Sequence, residues 1–170
     1  MEEFLRTVCT PSWNDELDRG RPFAEGVAEL VERFPDQAEL IVAYHERWPE
    51  MLRGTIDGTV EVVEELRAAG VPTYVLSNAS AETWPYAVEQ FPFLGRFDGV
   101  LLSGEVGMAK PDPEIFHELC RRFGLRPEST LFIDDRAANV DAARRLGFTA
   151  HHFQGAPGLR AELVRLGLLR

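Results

Sequence analysis

Three times in the second half of the sequence, an amphipathic stretch ends at glycine and a short apolar run follows. Val60, Val63 and Leu66 lead to Gly70 and then to Val71-Pro-Thr-Tyr-Val-Leu76. Ile115, Phe116 and Leu119 lead to Gly124 and then to Leu131-Phe-Ile133. Val140, Ala143 and Leu146 lead to Gly147 and then to Phe148-Thr-Ala-His-His-Phe153. Glycine just past a helix takes the left-handed conformation that ends it. The runs that follow are β-rich and lack clean polar alternation, which suits strands covered on both faces in a parallel sheet. Phe97 to Leu102 reads as a further strand, and Leu159, Leu163 and Leu166 mark a closing helix. The pattern predicts an α/β fold assembled from crossover units.

The first fifty-odd residues follow a different grammar. No strand is evident there. Val27, Leu30, Val31 and Phe34 recur at helical spacing, as do Leu40, Ile41, Tyr44 and Trp48, with Pro35 and Pro49 as punctuation. Gly54 to Gly58 reads as a hinge. The expected organisation is a helical cap over residues 1–54 and an α/β core over 55–170. Trp13, Phe23, Tyr44 and Trp48 are expected to pack the cap's own core rather than face a ligand.

At 170 residues the chain suits one domain with a small cap, and folding can bury roughly 70% of the extended surface. It has 28 acidic and 18 basic residues, a net charge of -10. That balance argues against a broad phosphate-tracking surface, so neither nucleic acid nor an anionic membrane is an expected partner. No 18-residue apolar run or signal-like segment is present, and a cytoplasmic protein with reduced thiols at Cys9 and Cys120 is expected. The histidines, at 45, 117, 151 and 152, show no zinc-ligand spacing. Every basic residue is arginine except Lys110. That makes Lys110 the place to ask whether a compact ammonium is needed where a planar guanidinium would not fit; the plainer reading is that one lysine survived by chance.

In open α/β sheets, ligands bind beyond the carboxyl ends of the strands. The polar residues at those ends are Ser77-Asn78, then Ser103-Gly104-Glu105 leading to Lys110-Pro111-Asp112-Pro113, then Asp134-Asp135. Parallel strands would bring all three groups to one rim. A hydroxyl, an ammonium and two adjacent carboxylates there can hold a phosphate and a hard divalent cation. Plainer readings exist for some of these residues. Ser77-Asn78 could be a turn and helix cap, Asp112 before Pro113 is a good N-cap, and Asn139 could cap locally or support the site. The two adjacent aspartates are harder to dismiss, because like charges after a buried strand repel unless a cation or donors compensate them.

In this order, Leu76-Ser77-Asn78, Lys110-Pro111-Asp112-Pro113 and Phe132-Ile133-Asp134-Asp135-Arg136-Ala-Ala-Asn139-Val140 resemble the haloacid dehalogenase-like (HAD) hydrolase superfamily, in its subfamily with a helical cap. The resemblance implies a Rossmann-like three-layer core with a parallel sheet, plus the small α-helical cap. It implies that Ser77, with Asn78 beside it, binds the transferring phosphoryl group. Lys110 would neutralise phosphate and nucleophile charge. Asp135, with Asp134 beside it, would hold Mg2+.

One departure dominates. The family's nucleophile is an aspartate on a first strand, in an apolar-apolar-Asp-x-Asp/Gly signature, and a second aspartate serves as acid and base in the phosphatases. The sequence here opens with Met1-Glu-Glu-Phe-Leu-Arg, which reads as a cap helix. Thr55-Ile56-Asp57-Gly58-Thr59 mimics the signature but has no apolar strand before it, and a hydroxyl without an adjacent base is a poor nucleophile. Asp15 and Asp18 have no strand to present them. In the family the first strand lies between the Ser77 strand and the Asp134 strand. Without it, two strands that each expect a neighbour at about 4.8 Å stand apart, and each unpaired buried backbone group costs about 1–3 kcal/mol.

Three situations would reconcile this. The chain is truncated by roughly twenty residues, about one strand and a connection; or the flanking strands close into a smaller sheet; or another segment or copy fills the slot, through which the chain could self-associate. Truncation is the preferred expectation. The expected function is a Mg2+-dependent phosphatase of a small phosphorylated metabolite, inactive as written. The alternatives are a 2-haloacid dehalogenase, which needs no metal, and a degenerate paralogue that binds without catalysis.

Overall fold

A computed structural model describes residues 2–170, and Met1, part of the expected first helix, lies outside them. By its internal contacts the chain divides into two compact units. One comprises residues up to Arg53 with Ser77–Gly95 and Leu102–Ala109; the other comprises Gly54–Leu76, Arg96–Leu101 and Lys110–Arg170. The first boundary lies between Arg53 and Gly54, and Ser77–Gly95 and Leu102–Ala109 group with the residues before it.

The first unit opens with α1 (Glu2–Thr7), α2 (Pro11–Asp18), α3 (Phe23–Arg33) and α4 (Ala38–Glu46). α2 starts at a Thr10 cap, whose hydroxyl accepts from the Trp13 N–H, with Pro11 in the first turn where a missing N–H costs nothing. Val8, Cys9, Trp13, Leu17, Phe23, Leu30 and Ile41 form its buried core, with Tyr44 packed against it. Trp13 and Phe23 are therefore core residues, as their spacing predicts. α2 and α3 touch at Gly26: a Cβ there would lie 2.8 Å from Leu17 Cδ2 and 3.2 Å from Trp13 Nε1. Trp13 Nε1 donates to the Gly26 carbonyl at 3.3 Å across that contact.

The second unit contains α5 (Thr59–Ala68), α8 (Pro113–Phe123), β3 (Leu131–Asp134), α9 (Ala137–Arg145), β4 (Thr149–His152) and α10 (Ala156–Arg165). The glycine grammar holds: Gly124 ends α8 with φ +65°, a conformation that side chains with a Cβ rarely adopt. β3 and β4 pair in parallel, with Leu131 opposite Thr149 and Asp134 opposite His152. Alternation along β3 sends its side chains to two faces. Leu131 and Ile133 pack with Val62, Leu66, Leu159 and Leu163 of α5 and α10. Phe132 packs edge-on to Phe116 of α8, ring centres 5.2 Å apart, and close to Phe148. Helices therefore cover this sheet on both sides, the layering of a Rossmann-like α/β domain.

Two further strands of the same length, β1 (Tyr74–Ser77) and β2 (Gly99–Leu102), pair with each other. Here the structure departs from a single sheet. Among the described residues the strands form two separate pairs, β1 with β2 and β3 with β4. Among these residues no strand pairs with both β1 and β3.

The remaining helices, α6 (Trp84–Gln90) and α7 (Ser103–Val106), belong to the first unit. Asp112 stands at the N-cap of α8 with extended backbone and Pro113 after it, as expected, but its side chain makes no capping bond to the helix. Thr55 to Asp57 is exposed loop and turn, with Ile56 60% exposed, and half-buried Gly58 heads α5 at φ +74°. The signature-like stretch is thus no strand.

Candidate active site

β3 delivers Asp134 at its carboxyl end, and its side chain is almost fully enclosed. Both carboxylate oxygens are engaged. Oδ2 accepts from Lys110 Nζ at 2.8 Å. Oδ1 accepts from the Arg136 N–H at 2.8 Å and from Asn139 Nδ2 at 3.0 Å. Asn139 is buried on α9, so its amide supports the site rather than capping a helix end. Burial alone would push the Asp134 carboxyl up; the Lys110 ammonium, the Arg136 N–H and the Asn139 amide outweigh it and hold the group below the usual carboxylate range.

Lys110 is nearly as enclosed, its side chain 11% exposed against 5% for Asp134. Besides Asp134 it donates to the Leu76 carbonyl at 2.6 Å, and its Nζ lies 5.8 Å from the centre of the Phe132 ring. A point-like ammonium can aim separate N–H bonds at a carbonyl and a carboxylate, which the wider guanidinium fork does less well in so small a space. The one lysine among many arginines thus stands where that chemistry is needed.

Asp135 is exposed, and its backbone carbonyl lies 2.9 Å from His152 Nε2. The adjacent aspartates have opposite surroundings: one is held inside by three donors, the other open to solvent. Mg2+ needs about six oxygens in a near-octahedral shell, several of them water. Among the described residues no group of three or more His, Cys, Asp or Glu side chains is placed to hold a metal ion. Asp135, with Asp134 beside it, therefore fits at most part of such a shell, and the remaining oxygens would come from phosphate, water and groups outside these residues.

Ser77 and Asn78 fall in the first unit, both half-buried at the end of β1. The structure brings Lys110, Asp134 and Asn139 together. Sequence reading missed a second polar cluster, which lies in that first unit. The Ser103 hydroxyl, fully buried, accepts from the Ala79 N–H at 2.9 Å and donates to the Asp18 carbonyl. The Asp18 carboxylate accepts from Asn14 Nδ2 at 2.9 Å, and Asn14 Oδ1 accepts from the Tyr44 hydroxyl at 2.9 Å. Burial and the nearby Asp15 charge push the Asp18 carboxyl up to about 6, against the pull of the Ser80 N–H. The only sequence signal was Asn14 and Asp18 at helical i,i+4 spacing, with the partner on another helix.

Lys110 and Asp134, from the second and third of the ordered motifs, are bonded to one another at the carboxyl end of β3. Residues 8–147 match the sequence profile of the haloacid dehalogenase-like hydrolases. The chain belongs to that family. Among HAD-like relatives, validoxylamine A 7'-phosphate phosphatase of Streptomyces hygroscopicus subsp. limoneus is 28% identical over 133 residues, 75% of this chain and 62% of its own. (S)-2-haloacid dehalogenase 1 of a Pseudomonas species is 30% identical over 121 residues, 70% of this chain and 50% of its own. A HAD family enzyme of Bacteroides thetaiotaomicron, solved with magnesium and inorganic phosphate, superposes with a TM-score of 0.64 at 25% identity, covering 82% of this chain and 73% of that one. The chain spans about half to three fifths of the length of the curated relatives it matches. Both phosphatases and a dehalogenase thus stand among the relatives of this HAD-like hydrolase. No helix among the described residues is long and apolar enough to cross a membrane.

Proposed function

We propose that these residues are the greater part of a Mg2+-dependent phosphatase of a small phosphorylated metabolite. Its attacking aspartate lies on a segment that the 170 residues do not contain. The Lys110–Asp134 pair carries the reading: an enclosed ammonium at the carboxyl end of β3, bonded to a carboxylate and a strand carbonyl, is a fixed positive charge suited to an anionic reacting group. In this reading Lys110 neutralises the phosphoryl group and the nucleophile, Asp134 and Asn139 hold Lys110 in place, and Ser77 with Asn78 donates to phosphate oxygens. Asp135 is the exposed oxygen donor for the metal, with Asp134 beside it; bound Mg2+ would screen the carboxylates from the phosphate. The outside aspartate would take the phosphoryl group as the P–O ester bond breaks and the alcohol leaves, and water would then release inorganic phosphate and restore the carboxylate. Neither Thr55 nor Asp57 is given that role, because both lie exposed in loop and turn rather than at a strand end.

The test measures phosphate release from p-nitrophenyl phosphate with Mg2+. It compares these 170 residues with a chain lengthened by the upstream in-frame coding sequence. The short chain should be silent and the longer one active only with the metal. Robust release by the short chain would overturn the assignment of the nucleophile. Metal-independent chloride release from 2-chloropropionate by the longer chain would replace the phosphatase reading with the dehalogenase one.

A further inference from the structure

We propose that Ser103 is a positioning residue for phosphate binding: its hydroxyl pins the backbone that follows Ser77-Asn78 to the last residue of α2. All the groups concerned lie in the first unit, on three stretches far apart in sequence. Ser103 opens α7 and is fully buried. A hydroxyl has one proton to give and lone pairs with which to accept. Here it donates to the carbonyl of Asp18, the last residue of α2, and accepts the Ala79 N–H at 2.9 Å. Alanine in its place would leave a buried carbonyl and a buried N–H without this partner.

The pinned N–H matters because of what it is joined to. The Asn78 carbonyl and the Ala79 N–H belong to one planar peptide unit, so a fixed N–H fixes that plane. The next plane is held as well. The Ala79 carbonyl accepts the Gly104 N–H at 3.1 Å, and the Ser80 N–H bonds to the Asp18 carboxylate. Two successive peptide planes after Asn78 are therefore tied, at Ser103, Gly104 and Asp18. The chain leaving Ser77-Asn78 then has little torsional freedom, and the aim of those two side chains at a phosphate depends on it.

The packing is as close as backbones allow. A Cβ on Gly104 would lie 2.7 Å from the Ala81 nitrogen and 3.0 Å from the Ala79 oxygen. A Cβ on Gly20, just beyond α2 at φ +99°, would lie 2.7 Å from the Gly104 oxygen. Three backbones thus meet with no side chain between them, and the Ser103 hydroxyl bonds two of them together. Contacts this close pass a displacement on rather than absorb it, so a shift at the end of α2 reaches the turn. The tie rests on this geometry alone. Its effect on phosphate rests on the proposed function, in which Ser77 and Asn78 donate to phosphate oxygens.

The experiment has two arms. In the 170-residue chain, amide exchange resolved by NMR compares the parent with Ser103→Ala. Exchange at Ala79 and Ser80 should quicken at least about tenfold more than exchange in β3 and β4. A smaller difference, whether from no change or from loosening of the whole chain, would overturn the tie. Should the variant fail to fold, the parent decides. Its Ala79 and Gly104 amides, held at one junction, should open together, with protection factors within about tenfold of each other; a wider gap would overturn the tie. In the lengthened chain of the phosphatase assay, S103A should raise KM for p-nitrophenyl phosphate at least about fivefold, with half-saturating Mg2+ within about twofold of the parent. A smaller rise, or a fall in kcat at unchanged KM as a mere loss of folded molecules gives, would overturn the positioning role. An inactive lengthened parent would instead overturn the phosphatase reading, and the exchange arm would still decide the tie.

Discussion

Lys110 Nζ sits 2.8 Å from Asp134 Oδ2, and both side chains are almost fully enclosed. A buried pair of this kind contributes little beyond what a well-packed apolar pair would, but removing one partner strands the other's charge. Lys110→Met should lower unfolding stability by about 3 kcal/mol, read by urea denaturation. A K110M/D134L double variant should recover most of the loss. An additive loss in the double variant would show that the two residues do not act as a pair.

The depressed Asp134 carboxyl also sets an acid limb. Its stabilisation is in full force above the ordinary carboxylate range and fades as pH falls through the folded-state value. Asp134→Asn should flatten the decline of Tm below about pH 4 while lowering stability at neutral pH. An unchanged acid limb in the variant would assign the limb to other carboxylates.

Asp18 works with the opposite sign. Its carboxyl is raised to about 6, so the fold favours the protonated form, and stability is lost as pH climbs from the unfolded value near 3.8 through about 6. Asp18→Asn should therefore raise Tm at pH 7.5 and leave it nearly unchanged at pH 3.5. The group is partly open to solvent, so the gain is a modest one. A variant less stable than the parent at pH 7.5 would contradict this.

Gly26 is fixed by the closeness of α2 and α3. Gly26→Ala puts a methyl against Leu17 and Trp13, and overpacking of this kind costs about 1–3 kcal/mol. The loss should appear as a lower unfolding midpoint and as altered Trp13 fluorescence. A neutral result would mean that the two helices separate freely.

Thr55→Ala and Asp57→Asn, made together in the lengthened chain of the phosphatase assay, should leave turnover within about twofold of the parent, since neither touches the proposed machinery. A drop of a hundredfold or more would restore the turn as a catalytic element.

Much of the second unit was legible in the sequence. The passage from α8 through β3, α9 and β4 follows from apolar runs and from glycines that end helices, all local signals. Less visible was how the strands pair, because pairing depends on what lies between them in space. β1 and β3 look like equal neighbours in sequence, yet the described chain leaves a slot at the place where a neighbour is required. The site was half legible. Lys110 stood out by composition and Asp134-Asp135 by repulsion. Strand alternation could have told the inward carboxylate from the outward one, since Asp134 continues the side of Phe132. The Ser103 bond to the Asp18 carbonyl left no trace, because its acceptor is backbone and any residue could have stood there.

Because the other Lys/Arg side chains are all guanidinium, amine-selective acylating reagents meet one lysine in these 170 residues, the one at the proposed site, besides the α-amino group. Followed on the peptide that carries Lys110, its modification rate times the opening of that site, and a bound anion that shields the ammonium would register as a slower rate without any label having been engineered in.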